Sequence, residues 1–175
     1  DIYQFLSLLK PIKTQHQQLN HLLSFAKTTE IGRKYEFKSI SNYDKFKNRI
    51  PIKTYEENKK TIKRIIKGEP NILWPTNINW FAKSSGTTSS KSKFIPISKE
   101  SLYTCHLNCG KDMLAIYCHN NPNSKIFNGK GLVMGGSQQL TNFDSKAYFG
   151  DLSAILIQNL PIWVSFMKTP DKHTL

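Results

Sequence analysis

The chain has 175 residues, the usual span of one domain, and 38% hydrophobic with 11% aromatic side chains excludes a wholly disordered polymer. No glycine period and no leucine heptad runs through it, which excludes collagen and coiled coil. Lys and Arg number 25 against 12 Asp and Glu, a formal charge of +13, and residues 27 to 67 hold thirteen of the basic and five of the acidic side chains. Such an excess first points to nucleic acid or an anionic surface. Only Arg33, Arg49 and Arg64 offer the bidentate guanidinium fork, however, and the other basic residues are lysines spread along helical faces. A nucleic-acid-binding module built on the lysine-rich helices 27–67 is therefore the alternative reading, and solvated helix faces are the plainer one.

Cys105, Cys109 and Cys118 are odd in number and form no C-x-x-C pair, so neither a disulfide framework nor a zinc ribbon is legible. A reducing, cytoplasmic setting fits this usage. No apolar run of roughly eighteen residues occurs, so no membrane span is expected, and no signal peptide opens the chain. The sequence begins at Asp1 inside an apolar pattern of Ile2, Phe5, Leu6, Leu8 and Leu9, which reads as the interior of a longer sequence.

In chain order, Leu19, Leu22, Leu23 and Ala26 recur at helical spacing and predict a helix from Thr14 to Glu30, with Gly32 as its C-terminal cap. A second helix opens at Ser41 as N-cap, passes Tyr43, Phe46 and Ile50, and stops at the Ile50–Pro51 step. Thr54 and Glu57 form a capping box for a third, whose Tyr55, Ile62, Ile65 and Ile66 face inward and which Gly68 ends. After Pro70 the helical period breaks. Ile78 to Ala82 and Phe94 to Ile97 read as short strands around a polar loop from Lys83 to Lys93. Ser98 or Ser101 then caps a long helix to about Tyr117, with Leu102, His106, Cys109, Met113 and Ile116 as its buried stripe. Gly131 to Met134 is a further strand ending at Gly135-Gly136, and Leu152 to Leu160 is either a helix or a buried strand. The order predicts an α/β fold, mostly helical over 1–68 and α/β over 69–175, without a marked linker.

The chemistry is concentrated in Ser84-Ser85-Gly86-Thr87-Thr88-Ser89-Ser90-Lys91-Ser92-Lys93, which sets seven hydroxyls, one glycine and two lysines between two strands. Gly86 lets successive N–H groups turn into one concavity, the hydroxyls add donors, and Lys93 supplies charge. A triphosphate suits such a loop. A Walker A loop is excluded, because the second glycine is missing and a strand follows in place of a helix.

The same segment, from Phe81-Ala82-Lys83 through the loop to Phe94-Ile95-Pro96, resembles the phosphate loop of the acyl-adenylate-forming enzymes, specifically the auxin-responsive Gretchen Hagen family of acyl-acid amido synthetases. Arg49-Ile50-Pro51-Ile52, Thr54-Tyr55-Glu56, Ile65, Gly68-Glu69-Pro70 and Leu73-Trp74-Pro75 upstream resemble that family in the same order. Gly135-Gly136-Ser137 and Gly150-Asp151-Leu152-Ser153 resemble it downstream. The resemblance implies ATP-dependent activation of a small carboxylic acid as an acyl-adenylate, with Mg²⁺, and transfer to an amino acid amine in the plant members. It assigns Ser84, Ser85, Gly86, Thr87, Thr88 and Lys93 to the triphosphate. Ser90 stands where the family often has a second glycine. The later elements that hold adenine, line the acyl pocket and form the C-terminal domain have no counterpart before Leu175, so the resemblance implies an N-terminal portion that is inactive alone. Catalytic residues are not assigned by it.

Two other constellations carry less. Cys105, His106, Cys109, Cys118 and His119 invite a metal site, but Cys109 on the predicted stripe reads as a buried thiol and no metal site is expected. Gly135-Gly136-Ser137 lacks the closing glycine of a hydrolase elbow. The apolar run containing Ile155, Leu156, Leu160, Ile162, Trp163, Val164 and Phe166 is expected to leave several side chains exposed in this chain.

Overall fold

The computed structural model describes residues 10–84, 92–133, 141–142 and 147–169. The chain divides into two compact units, Asp1–Ile65 with Glu69–Asn77 and Ile66–Gly68 with Ile78–Leu175. Among the described residues no helix is long and apolar enough to cross a membrane.

The first unit is helical. Helix α1 (Pro11–Ala26) starts on a proline, which fits the first turn because no N–H is needed there. It ends at Ala26 where a helix to Glu30 was expected. Thr29 stops it: its buried hydroxyl donates to Ala26 O at 2.7 Å and accepts from Gly32 N at 2.9 Å, capping a new short helix, α2 (Glu30–Lys34). Gly32 is therefore an interior residue of α2 and no C-cap. A Cβ there would lie 2.0 Å from the Ala26 carbonyl oxygen, so only glycine permits the approach. Helix α3 (Tyr43–Arg49) is capped by Asn42, whose Oδ1 accepts from Lys45 N at 2.9 Å, one residue later than the serine expected.

Helix α4 (Tyr55–Ile66) has the expected capping box: Thr54 N–H donates to Glu57 Oε2 at 2.7 Å and Glu57 N–H to Thr54 Oγ1 at 3.4 Å. The Thr54 N–H and the Thr54 hydroxyl, both donating to the Glu57 carboxyl, hold it below its ordinary value. Ile62 and Ile65 are buried as the pattern required, while Tyr55 and Ile66 are half-buried. Gly68, at φ +85°, turns the chain away. The segment behind it returns to α2, with Asn71 O accepting from Glu30 N and Ile72 O from Ile31 N. Trp74 packs on Phe25 of α1 at 5.1 Å between ring centroids.

The second unit is α/β. Strands β1 (Trp80–Ser84) and β2 (Lys93–Ile97) pair antiparallel, from Trp80 opposite Ile97 to Ser84 opposite Lys93. They are followed by a π-helical turn (Ser101–Leu107) running into α5 (Asn108–Asn120), then β3 (Gly131–Leu132), β4 (Thr141–Asn142) and β5 (Tyr148–Gly150). Helices α6 (Leu152–Gln158) and α7 (Ile162–Ser165) and strand β6 (Lys168–Thr169) follow. The main sheet is ordered β2-β1-β5-β4, with β1 and β5 parallel and the outer pairs antiparallel, and β3 and β6 form a separate parallel pair. Leu152 to Leu160 thus resolves as a helix.

Strand alternation places Ala82 and Ile97 on one face of the sheet, where they join Leu102 and Ile155 in the core. The opposite face carries Phe81, Phe94 and Phe149, with Phe81 on Phe149 at 5.4 Å and Phe94 edge-on to Phe149 at 5.0 Å. The stripe expected on the long helix holds only at its start. Leu102 is buried, His106 is half-buried, and Cys109, Met113 and Ile116 are exposed. The π-turn explains the loss, since its wider i→i+5 winding shifts the phase of every later position relative to a 3.6-residue stripe.

Candidate functional site

The two strands around the loop are built from the residues that flank it. Trp80 to Ser84 and Lys93 to Ile97 alternate around apolar side chains that bury against both faces of the sheet, and this fixes the stem of the hairpin. Ser84 and Lys93, expected in the loop, are the closing pair of the ladder, directly opposite one another and both half-buried. Lys83 also belongs to β1. Because residues 84 and 93 share the phase of Ala82 and Ile97, their side chains leave the sheet on the face that the π-turn and α6 cover. Ser85, Gly86, Thr87 and Thr88 lie outside the described residues. Gly135-Gly136-Ser137 lies outside them as well.

A second feature escaped the sequence. The π-turn, the first half of α5, and the α6–α7 segment enclose an open cleft of about 550 Å³, lined by Tyr103, His106, Lys111, Met113, Leu156 and Trp163 among others. The walls are mainly apolar, with His106 and Lys111 among the lining residues, a make-up common to small-molecule sites. Its signal was hidden for the reason the stripe failed: the winding change turns Met113 away from the core, into the cleft.

The basic residues tell against a nucleic-acid surface. All three arginines bind within the chain. Arg33 donates to Thr28 O at 2.6 Å, and Arg49 holds Glu36 and Ser39. Arg64 grips Glu30 with two bonds of 2.9 and 2.7 Å and Glu69 with its Nε at 2.7 Å. These contacts hold the Glu30 and Glu69 carboxyls below their ordinary value, the Arg64 hydrogen bond being the largest cause in each. Lys47 and Lys59 pair with Asp44 and Glu56 on their own helices. Among the described residues no group of three His, Cys, Asp or Glu side chains is placed to hold a metal ion.

The model of the GH3 family N-terminal domain matches residues 4–174. The chain belongs to the GH3 family. Among its relatives, indole-3-acetic acid-amido synthetase GH3.2 of Arabidopsis thaliana is 31% identical over 93 residues, 53% of this chain and 17% of the relative. The probable indole-3-acetic acid-amido synthetase GH3.1 of the same plant is 35% identical over 89 residues, 50% of this chain and 15% of the relative. Among solved structures, the GH3.15 acyl acid amido synthetase in complex with 2,4-DB superposes with a TM-score of 0.69 at 22% identity, covering 93% of this chain and 29% of that one. The chain thus spans a minor part of the length of the relatives it matches, and its α/β fold is like that of the solved GH3.15 structure.

Proposed function

We propose that this GH3 chain carries the triphosphate-binding part of an ATP-dependent acyl-acid amido synthetase. The observation that supports this most directly is the β1–β2 hairpin, whose ladder closes with Ser84 opposite Lys93 at the mouth of the Ser85-Gly86-Thr87-Thr88 loop. A short antiparallel stem sets Ser84 and Lys93 opposite one another at the two ends of a segment whose sequence is rich in further donors. That arrangement suits the β- and γ-phosphates of ATP.

The reaction is the family's. A carboxylate oxygen of the acyl acid attacks the α-phosphorus, the α–β phosphoanhydride breaks, and pyrophosphate leaves. An amino acid amine then attacks the acyl carbon and expels AMP. The residues of this chain act on the first step: loop N–H and hydroxyl donors, with Lys93, hold the triphosphate and stabilise negative charge gathering on the leaving pyrophosphate. Mg²⁺, which the resemblance implies, would accompany the phosphate oxygens, its common mode of binding.

Titration calorimetry of the chain with Mg-ATP tests the loop. The unmodified chain is expected to bind, and Thr87→Ala/Thr88→Ala and Lys93→Met each to weaken binding about tenfold, roughly one lost charge-assisted contact. Equal heats from all three proteins, zero included, would remove the loop assignment.

A further inference from the structure

The connection from α5 to β3 carries the one Asn-Gly step of the sequence, Asn128-Gly129, and neither the hairpin nor the cleft uses it. Both residues are exposed, and Ile126 and Phe127 before them are exposed as well. Asn128 N–H donates to Lys125 O at 2.8 Å, which pins the backbone ahead of the step. Behind it Gly129 turns the chain at φ +108°, with no atom within 4 Å of the place a Cβ would take. Neither the Gly129 N–H nor the Asn128 side-chain amide has a hydrogen-bond partner among the described residues.

The other asparagines of this connection are guarded. Asn120 is followed by an N–H that donates to Tyr117 O at 2.9 Å, Asn121 by a proline, which has none, and Asn123 by the Ser124 N–H, which donates to Asn121 O at 2.9 Å. The difference matters because an asparagine amide is attacked by the backbone nitrogen of the residue after it. An engaged N–H is a poor nucleophile, and a side chain beside it crowds the approach. Gly129 has neither obstacle. Lys125 and Lys130 flank the step and no acidic residue stands between Asp112 and Asp144, so the nearest charges along the chain favour the developing anion.

We propose that Asn128-Gly129 is a self-modifying site, at which the folded chain converts its own asparagine to aspartate and isoaspartate. Hydroxide removes the Gly129 amide proton, the nitrogen bonds to Asn128 Cγ, and the side-chain nitrogen leaves as ammonia after taking a proton from water. The product is a cyclic succinimide. Water then adds to one of the two ring carbonyls: breaking the bond from nitrogen to Cγ gives aspartate, and breaking the bond from nitrogen to the main-chain carbonyl carbon gives isoaspartate. One water is consumed and one ammonia released, with no change of oxidation state. In isoaspartate the main chain gains a methylene just ahead of Gly131, whose N–H begins the β3–β6 pairing at 2.7 Å from Met167 O. It also gains a free α-carboxylate, the group that S-adenosylmethionine-dependent isoaspartyl methyltransferases esterify.

The full chain is aged in mildly alkaline buffer, and its tryptic peptide spanning residues 126–130 is followed over time by mass spectrometry beside a synthetic peptide of the same sequence. Each conversion raises the mass by about one dalton and lowers the formal charge of +13 by one. Isoaspartate is counted by methyl transfer from S-adenosylmethionine with an isoaspartyl methyltransferase. The folded chain is expected to convert at the rate of the free peptide, because a hydrogen bond holding the Gly129 N–H would slow it about tenfold. The rate is expected to rise with pH. Asn128→Gln, which would have to close a larger ring, is expected to abolish methyl acceptance in this peptide, and Asn123→Gln to leave conversion at Asn128 unchanged, circular dichroism confirming that each variant is folded. Conversion in the folded chain about tenfold slower than in the peptide, equal conversion at Asn123, or methyl acceptance that survives Asn128→Gln overturns the proposal.

Discussion

Gly32 and Lys168 are the two single residues whose replacement the structure fixes most sharply, in opposite directions. A Cβ at Gly32 meets backbone, 2.0 Å from Ala26 O and 2.9 Å from Ala26 C, and backbone yields less readily than a side chain. Gly32→Ala is expected to lower stability on the order of 2 kcal/mol by forcing α1 and α2 apart, read by urea unfolding. Unchanged unfolding would mean that the Thr29 junction relaxes freely. Lys168, 2% exposed on β6, has an Nζ with no hydrogen-bond partner among the described residues. An unpaired ammonium buried in this way is costly, so Lys168→Met, which keeps the length of the side chain, is expected to stabilise by about 1–3 kcal/mol. A loss of stability instead would reveal a carboxylate partner.

At the scale of elements, the sequence was most legible where a local motif dictated the backbone. The Thr54/Glu57 box, the Gly68 stop and the buried Ile62 and Ile65 stood where their chemistry put them, because each depends on contacts within a turn or two. The hairpin strands were shifted by up to two residues, since a ladder ends where cross-strand pairing ends and pairing is not a local property. The long helix misled at Cys109, Met113 and Ile116 because one π-turn reset the phase, and nothing in the residue types announces such a turn. Of the candidate site, the loop was read from its sequence, while the cleft required the fold.

The link between α4 and α2 was equally invisible, resting on Arg64 and Glu30, thirty-four positions apart. Its pH dependence follows from the carboxyls. Glu30 and Glu69 titrate below the ordinary value of 4.5 in the folded chain, so their contribution is present above that value and is lost as pH falls through the lowered ones. Arg64→Met is expected to lower Tm at pH 7, and the gap from the unmodified chain to close as the pH drops below 4.5. A gap independent of pH would show that Arg64 acts by packing its stem. Arg64→Lys should recover only part of the loss, because lysine lacks the fork that reaches both Glu30 and Glu69.

Across the whole molecule two features oppose one another in solution. The charge of +13 favours dispersal, while Ile162, Trp163 and Phe166 stand 77%, 57% and 73% exposed on and beside α7. Ile155, in the same apolar run, is fully buried against Ala82, Ile97 and Leu102, so the run is anchored at one end and bare at the other. Non-directional burial of three large side chains is worth several kcal/mol per contact between copies, and salt screens the repulsion that resists it. Self-association is therefore expected to rise with ionic strength in sedimentation experiments, and Ile162→Ser/Phe166→Ser to abolish the rise. Acrylamide should quench the chain's fluorescence chiefly through Trp163, Trp74 and Trp80 being half-buried against Phe25 and Tyr148. Trp163→Phe is expected to remove most of that quenching. A monomer at high salt with quenching unchanged by Trp163→Phe would mean that this end of the run is covered, and the exposed patch would then not exist in solution.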